Sequence, residues 1–242
     1  MTYCLGILVP SGLVLASDSR SNAGIDQVTR VCKLALITVP GQRVIAILSA
    51  GNLATTQSVV SQLRQSAGSG EAGEDLHAAR TMFDVAATVG AKLREVIERD
   101  GKYVQPHDDP SASFLVGGQI AGEAHRLFEI YSAGNFVEAS DRSCFLQIGE
   151  TKYGKPILDR VMTTDSSLDE AAKVALLSFD ATIRSNLSVG LPIDLLRYTA
   201  GSYSADDLVT LEEHDPYWRE LRKAYSDGLS ALVDRLPSPP PG

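Results

Sequence analysis

Two nearly continuous apolar runs constrain the fold of this chain more than any other feature of its sequence. They are Lys33 to Val39 and Arg43 to Ala50, and the segment Pro40-Gly41-Gln42 between them has the residues of a turn. Together they predict an antiparallel hairpin. Because neither run alternates between apolar and polar residues, both faces of the sheet must be covered by a second sheet or by helices.

Another hairpin is predicted at the start of the chain. Tyr3 to Val9 is an apolar run with high β-propensity, Pro10-Ser11-Gly12 is a turn, and Leu13 to Ala16 leads back toward Asp18. We therefore expect the return strand to bring Asp18 next to Thr2.

Amphipathic patterns beyond the hairpins predict helices in pairs, separated by short strands. The predicted helices run from Leu53 to Gln65, from Leu76 to Asp100 with Gly101 ending it, from Lys155 to Met162, from Leu168 to Arg184, and onward from Asp215-Pro216. The later predicted strands are Ala112 to Val116, Arg126 to Tyr131, Phe136 to Ala139, Phe145 to Ile148, Asp194 to Thr199 and Leu208 to Leu211. Strand runs followed by paired helices, repeated once, favour an α+β fold, a four-layer αββα sandwich.

The length of 242 residues suits one domain better than two. We expect a single domain over residues 1–236 and a disordered tail over residues 237–242, since the Pro-rich ending Pro237-Ser-Pro-Pro-Pro-Gly242 excludes helix. The last helix carries an apolar stripe from Trp218 to Leu236. We expect that stripe to lie in the core rather than to bind a cofactor.

Composition excludes several classes of partner. The formal net charge is −8, which disfavours nucleic acids and anionic membranes, and no apolar run is long enough to span a bilayer. Cys4, Cys32 and Cys144 lack metal-ligand spacing and are expected to be small buried residues in the reducing cytoplasm. The four histidines lack that spacing as well, so we expect no metal and no cofactor.

Thr2 carries the chemistry that the N-terminus offers once Met1 is removed. A terminal threonine has a nucleophilic hydroxyl beside a free α-amine, and the amine can take the hydroxyl proton during attack. Methionine is normally trimmed before a small residue, so we expect no propeptide to be needed. The alternative is that Thr2 is only the second residue of an ordinary edge strand.

The opening segment MTYCLGILVPSGLVLASDSR, Lys33 before its apolar strand, and Ser49-Ala50-Gly51 before the first helix resemble the N-terminal-nucleophile hydrolases, among them the proteasome β-type subunits. With IGETKYGKPILDR at Ile148 to Arg160, the opening is similar more narrowly to the bacterial Anbu (ancestral β-subunit) group. Members of that group assemble with themselves, so the resemblance implies a homo-oligomer.

The resemblance implies a catalytic role for each matching residue. Thr2 would attack the carbonyl, and Lys33, held by Asp18, would keep the amine neutral and lower the pKa of the hydroxyl. Gly51 would allow close approach of a substrate, and its N–H would stabilise an oxyanion. A salt bridge without catalytic purpose at Lys33, and a glycine needed only for the turn, are the alternatives.

Substrate contacts are implied for Arg20, Asn22 and Ser49. Ser49 would line the pocket for the side chain before the cut bond, where a small serine would not select strongly for charge.

Two segments depart from the proteasome pattern. Glu150 stands where a serine is usual, Ser185 stands where an aspartate is usual, and Ser188 matches. Ser185 and Ser188 could still bond the α-amine, whereas an acidic Glu150 near it would favour the protonated form, which cannot act as a base.

These residues lead to one hypothesis and two alternatives. The hypothesis is a self-assembling threonine peptidase that hydrolyses peptide or related amide bonds. The alternatives are an amidohydrolase of small amides and a non-catalytic assembly subunit with the same fold. An ATP-driven partner is not indicated by the sequence.

Overall fold

The computed structural model describes residues 1–23, 27–71 and 73–240, which form two five-stranded antiparallel sheets, a two-stranded ribbon and five helices. The strands are β1 (Tyr3–Val9), β2 (Gly12–Asp18), β3 (Arg20–Ala23), β4 (Gln27–Arg30), β5 (Leu34–Val39), β6 (Arg43–Gly51), β7 (Ala112–Ile120), β8 (Arg126–Ile130), β9 (Phe136–Glu138), β10 (Phe145–Gly149), β11 (Ile193–Thr199) and β12 (Leu208–Leu211). The helices are α1 (Leu53–Ser66), α2 (Met82–Val104), α3 (Lys155–Val161), α4 (Leu168–Ser185) and α5 (Pro216–Val233).

Both predicted hairpins are present, one in each sheet. The first sheet has the strand order β10-β1-β2-β11-β12 and the second has the order β5-β6-β7-β8-β9. Cys4 pairs with Ser17 in the first hairpin, and Leu34 pairs with Leu48 in the second. This register puts Asp18 level with Tyr3, at the end of the sheet where Thr2 enters β1.

Three apolar clusters define the four layers. Leu15, Leu48 and Leu115 belong to the cluster between the two sheets. Val59 and Val89 belong to the cluster of α1 and α2 with the outer face of the second sheet, and the remaining cluster joins α3, α4 and the start of α5 to the first sheet. The predicted αββα sandwich is therefore confirmed, and the continuous apolar runs are explained by sheets buried on both faces.

Side-chain caps start the two helices on which the site depends. The Asn52 side chain accepts the N–H of Thr55 at 3.1 Å and begins α1 directly after β6. Ser167 and Glu170 form the expected capping box at the start of α4.

The elements differ from the prediction in three places. No strand was predicted between Ser19 and Val31, but this segment contains the ribbon β3–β4. Helix α2 starts at Met82 rather than Leu76, since Thr81 and Asp84 form a capping box, and it continues through Gly101 to Val104.

The third difference concerns the stripe on α5. Trp218 is fully buried, but the residues from Leu229 onward are exposed, so most of this stripe lies outside the core. Amphipathic spacing shows that a helix has an apolar face, but it does not show what covers that face.

Candidate active site

The first hairpin holds Thr2 beside a buried carboxylate. Thr2 immediately precedes β1, is partly buried, and its carbonyl accepts the N–H of Glu150 at 2.7 Å. The following residue, Tyr3, donates its N–H to Asp18 Oδ1 at 3.0 Å. The backbone around Thr2 is therefore fixed from both neighbouring strands, β2 and β10.

Lys33 and Asp18 form a buried ion pair at this end of the sandwich. Lys33 Nζ lies 2.7 Å from Asp18 Oδ1 and 2.6 Å from the carbonyl oxygen of Arg20. Lys33 is 6% exposed and Asp18 is fully buried. Asp18 Oδ2 also accepts the backbone N–H groups of Arg20 and Gly190, each at 3.2 Å.

Several donors compensate the charge of Asp18. Burial raises the pKa of the Asp18 carboxyl, while the Lys33 ammonium and two backbone N–H donors act in the opposite direction. A buried pair with this number of partners is fixed in geometry, and truncating either side chain would leave the other charge without its main partner.

Thr2 and Lys33 open onto a common cavity of about 310 Å³ between β5, β6 and α1. The cavity is lined by Thr2, Ser21, Val31, Cys32, Lys33, Leu34, Ala35, Ser49, Ala50, Gly51, Leu53, Thr56, Gln57, Val60, Ser61 and Arg64. Ser49 donates its N–H to the carbonyl of Lys33 at 3.1 Å, which joins β6 to the lysine. Four of the residues singled out from the sequence thus share one space.

Gly51 occupies a backbone conformation that favours glycine. Its φ is +108°, and a Cβ there would lie 2.5 Å from the carbonyl oxygen of Ser111. Gly51 is the last residue of β6 and precedes the capping residue Asn52. The turn therefore requires this glycine for steric reasons, and its place on the cavity is also compatible with contact to a substrate.

A second buried carboxylate belongs to Glu150, whose backbone N–H contacts the Thr2 carbonyl from the β10 side. Glu150 is 5% exposed, and its Oε2 accepts the side-chain amide of Asn186 at 2.8 Å. Its Oε1 is 3.8 Å from Nζ of the exposed Lys152. Asn186 Oδ1 in turn accepts the N–H of Ser188 at 2.9 Å.

Asn186, rather than Ser185, makes the contact with Glu150. Ser185 is the exposed last residue of α4, whereas Asn186 follows it and turns inward. Ser188 is partly buried in the same loop. Sequence reasoning named the neighbours of Asn186 because it followed the family spacing, and only the path of the loop distinguishes them.

The three residues expected to contact a substrate do not all lie at the cavity. Ser49 lines the cavity, but the guanidinium of Arg20 donates to the carbonyl of Leu187 at 2.7 Å, away from it. The Asn22 side chain lies outside the described side chains. Ser21 lines the cavity instead, and the sequence analysis missed it.

Cys32 also departs from the prediction. It is exposed and lines the cavity, whereas Cys4 and Cys144 are buried as expected. Burial of part of the thiol raises the pKa of Cys32, and its Sγ lies 3.1 Å from the carbonyl of Leu34. A raised pKa makes this cysteine a weak nucleophile at neutral pH.

Within residues 1–23, 27–71 and 73–240, no three His, Cys, Asp or Glu side chains lie together as metal ligands. None of the described helices combines the length and the apolar character needed to cross a bilayer.

The chain is similar to known proteins in both sequence and fold. The model of the proteasome subunit family matches residues 2–195. Anbu (ancestral beta-subunit) from Yersinia bercovieri is 44% identical, with a TM-score of 0.93 over 99% of both chains. A helical assembly of the Anbu complex from Pseudomonas aeruginosa contains a chain that is 46% identical, with a TM-score of 0.93 over 98% of both chains.

A more distant relative extends the comparison to archaea. Proteasome subunit beta 1 of Thermococcus kodakarensis is 27% identical over 222 residues, which are 88% of this chain and 97% of the relative. The family model covers Thr2, both sheets up to β11 and the buried Lys33–Asp18 pair. The chain therefore belongs to the proteasome subunit family, within its Anbu group.

Proposed function

We propose that this chain is a threonine-type N-terminal-nucleophile hydrolase that cleaves peptide or related amide bonds after removal of Met1. The observation that carries the proposal is the buried Lys33–Asp18 pair at the cavity that Thr2 lines. A buried ion pair is weak support for stability, because apolar residues of similar volume often stabilise a fold as well or better. Its position beside a candidate nucleophile therefore favours a catalytic role.

In the proposed reaction, the Thr2 hydroxyl oxygen attacks the carbonyl carbon of the substrate and its proton passes to the Thr2 α-amine. The resulting ammonium then gives that proton to the departing amine as the C–N bond breaks, which leaves an ester on Thr2. Water hydrolyses the ester by the same sequence of proton transfers. The Lys33 charge disfavours a second positive charge on the amine and so keeps it available as a base.

Gly51 is proposed to face the carbonyl oxygen of the substrate. It lies at the junction of β6 and α1, where the positive end of the helix dipole favours developing negative charge. Ser49 and Ser21 line the same cavity and are proposed substrate contacts. Ser188 is proposed to help position the amine, together with Asn186.

A second candidate function is favoured by Glu150. Glu150 is buried and its backbone contacts Thr2. If its carboxylate acts on the amine, it would stabilise the protonated form, which cannot accept the hydroxyl proton. In this alternative, the chain is a self-assembling subunit without peptidase activity.

Self-assembly is part of both candidate functions, the hydrolase and the non-catalytic subunit. The Pseudomonas aeruginosa Anbu complex forms a helical assembly. In this chain, the apolar residues at the end of α5, from Leu229 to Val233, and Leu236 beyond it are exposed, which suits burial against another copy. We propose a homo-oligomer in the cytoplasm, where a reducing environment would keep the three cysteines as free thiols.

We also propose one domain over residues 1–236, followed by a Pro-rich tail.

Hydrolysis of a panel of fluorogenic acyl-peptides tests the proposal when it is combined with the intact mass of the protein. We expect a mass without Met1, measurable release of the fluorophore, and loss of at least about a hundredfold in Thr2→Ala. Thr2→Ser is the matched variant, because it keeps a terminal hydroxyl and amine and should retain activity. Retention of Met1, or equal rates for the protein and Thr2→Ala, would favour the non-catalytic subunit.

A further inference from the structure

We propose that Arg64 gives the Thr2 cavity a preference for substrates with an acidic side chain on the residue whose carbonyl Thr2 attacks. We call this residue the acyl-side residue, and glutamate is the side chain that we expect it to carry. The inference rests on the proposed function, since it names the substrate class of the same site. It adds charge selection that the small Ser49 does not supply.

One face of α1 forms a wall of the cavity from its first residue almost to its last. The lining residues on this helix are Leu53, Thr56, Gln57, Val60, Ser61 and Arg64. Their spacing of three and four residues puts all of them on one side of the helix. Because side chains on a helix lean toward its N-terminus, the Arg64 side chain is directed back along this wall, toward the end where Gly51 and Thr2 lie.

The charges of the lining residues are all positive. Lys33 and Arg64 are the charged residues that line the cavity in the described chain, and no carboxylate lines it there. Lys33 is neutralised by Asp18 at 2.7 Å. Arg64 makes no ion pair or side-chain hydrogen bond with any described residue, as far as the structure covers the chain. An acidic protein with a net charge of −8 thus presents a positive cavity.

Cys32 lies on another wall of the same cavity as Arg64. It comes just before β5, beside Lys33, whereas Arg64 lies near the end of α1. Burial and the Asp194 carboxylate raise the pKa of the Cys32 thiol, and the positive charge of Arg64 acts in the opposite direction. The guanidinium and the wall that carries Lys33 therefore border one common space.

The remaining walls fit a glutamate side chain. Val31, Ala35 and Val60 are aliphatic and can contact its methylene groups, while Gln57 and Ser61 add polar groups to the α1 wall that carries Arg64. A carboxylate placed there would accept charge-assisted hydrogen bonds from the guanidinium. A lysine at the same position would meet the uncompensated positive charge of Arg64, so the cavity should discriminate against it.

Covalent labelling by peptide epoxyketones that differ only at the acyl-side residue tests the charge preference. We expect the glutamate probe to label the protein about fivefold to tenfold faster than the glutamine probe, with the lysine probe slowest. Arg64→Met should remove this difference, and Arg64→Glu should reverse the order of glutamate and lysine. Arg99→Met is the matched control, because Arg99 is an exposed helical arginine on α2 that is paired with Asp100.

Equilibrium binding of non-reactive peptide amides separates this inference from the proposed function. The peptides end in glutamate, glutamine or lysine amide, and affinity is measured by calorimetry in the protein and in Thr2→Ala. If no epoxyketone reacts but the glutamate amide binds tighter in an Arg64-dependent way, the hydrolase proposal fails and the inference about the cavity stands. Labelling without any difference between glutamate and glutamine probes would overturn the role of Arg64 and leave the hydrolase intact.

A last pair of peptides distinguishes a side-chain carboxylate from a terminal one. An alanine-ended peptide with a free carboxylate is compared with its amide, and with the glutamate amide. We expect the glutamate amide alone to lose affinity in Arg64→Met. If only the free-carboxylate peptide lost affinity, the acidic side chain would be the wrong ligand and a chain terminus the correct one.

Discussion

The two sides of Thr2 differ in how their buried charge is compensated. On one side, Asp18 is fully buried but faces Lys33 at 2.7 Å and accepts three backbone N–H groups. On the other side, Glu150 is nearly as buried but accepts one amide at 2.8 Å, with a lysine ammonium at 3.8 Å.

The Lys33–Asp18 pair therefore has a fixed geometry, whereas Glu150 keeps a charge that is only partly compensated. The Lys33–Asp18 side is neutral as a pair and is held by backbone donors, so its geometry does not depend on a substrate. On the Glu150 side, the backbone N–H contacts the Thr2 carbonyl, and the buried carboxylate has fewer compensating partners. We propose that the first side prepares the hydroxyl and that the second sets the protonation of the amine.

Among the variants considered, Lys33→Ala should have the largest effect, because it removes the ion pair with Asp18 on the first side of Thr2. In Lys33→Ala, labelling of Thr2 by an epoxyketone should fall about a thousandfold, because the amine and hydroxyl lose the neighbouring positive charge. The free energy of unfolding should also fall by about 3 kcal/mol, since the buried charge of Asp18 would lose its main partner. Labelling kinetics and urea denaturation measure the two effects.

The double variant Lys33→Met with Asp18→Asn separates stability from catalysis. It removes both charges and leaves an amide oxygen for the N–H of Tyr3, so most of the lost stability should return while labelling stays absent. Labelling that survives in either variant would remove Lys33 from the mechanism.

Tyr3 follows Thr2 and contacts Asp18 through its backbone, and ionisation of its hydroxyl should give the next largest effect. The hydroxyl contacts Ser178 at 2.5 Å and accepts the amide of Gln147 at 2.6 Å, and burial raises the pKa of Tyr3 to about 12. The unfolded chain ionises this tyrosine near pH 10, whereas the folded chain keeps it neutral. Its contribution is therefore complete below pH 10, and about 3 kcal/mol is lost as the pH rises to 12.

Denaturation between pH 9 and 12 measures this loss. Tyr3→Phe should flatten the dependence on pH, while Tyr103→Phe, at an exposed tyrosine, should keep it. An unchanged slope in Tyr3→Phe would show that the hydroxyl is not the group responsible.

Glu150→Gln removes the charge on the second side of Thr2 and should have a smaller effect on labelling. Glutamine keeps an oxygen for the amide of Asn186 but removes the charge, so the pKa of the α-amine should fall. The pH profile of labelling should move down by about one unit, and the rate near neutral pH should rise up to about tenfold. Asp159→Asn, at an exposed acid on α3, is the control. An unmoved profile would mean that Glu150 does not act on the amine.

The comparison also shows what the sequence could predict. Local turn chemistry and strand periodicity were sufficient for the first hairpin, and a hairpin of this length necessarily brings Asp18 back to Thr2. Lys33 was identified through the resemblance to the N-terminal-nucleophile hydrolases, since a lysine at the start of an apolar strand does not by itself show that it is buried. The other side depends on a loop after α4, where the path of the backbone decides that Asn186, and not Ser185, meets Glu150.

Other differences have similar physical causes. The strands of the β3–β4 ribbon are short and polar, so periodicity does not reveal them. The start of α2 is decided by the Thr81–Asp84 capping box, which competes with the apolar residue Leu76 upstream. Arg64 could have been found by extending the face of Leu53, Gln57 and Val60 by one more turn, because its spacing continues theirs.

The most direct test of the account is a peptide map of the protein after labelling with an epoxyketone. This reagent forms a ring that uses both the hydroxyl and the free amine of a terminal threonine. We predict a tryptic peptide that starts at Thr2, ends at Arg20 and carries the mass of the probe. An unmodified peptide that starts at Met1, or a probe attached to another residue such as Cys32, would contradict the claim that Thr2 is the nucleophile.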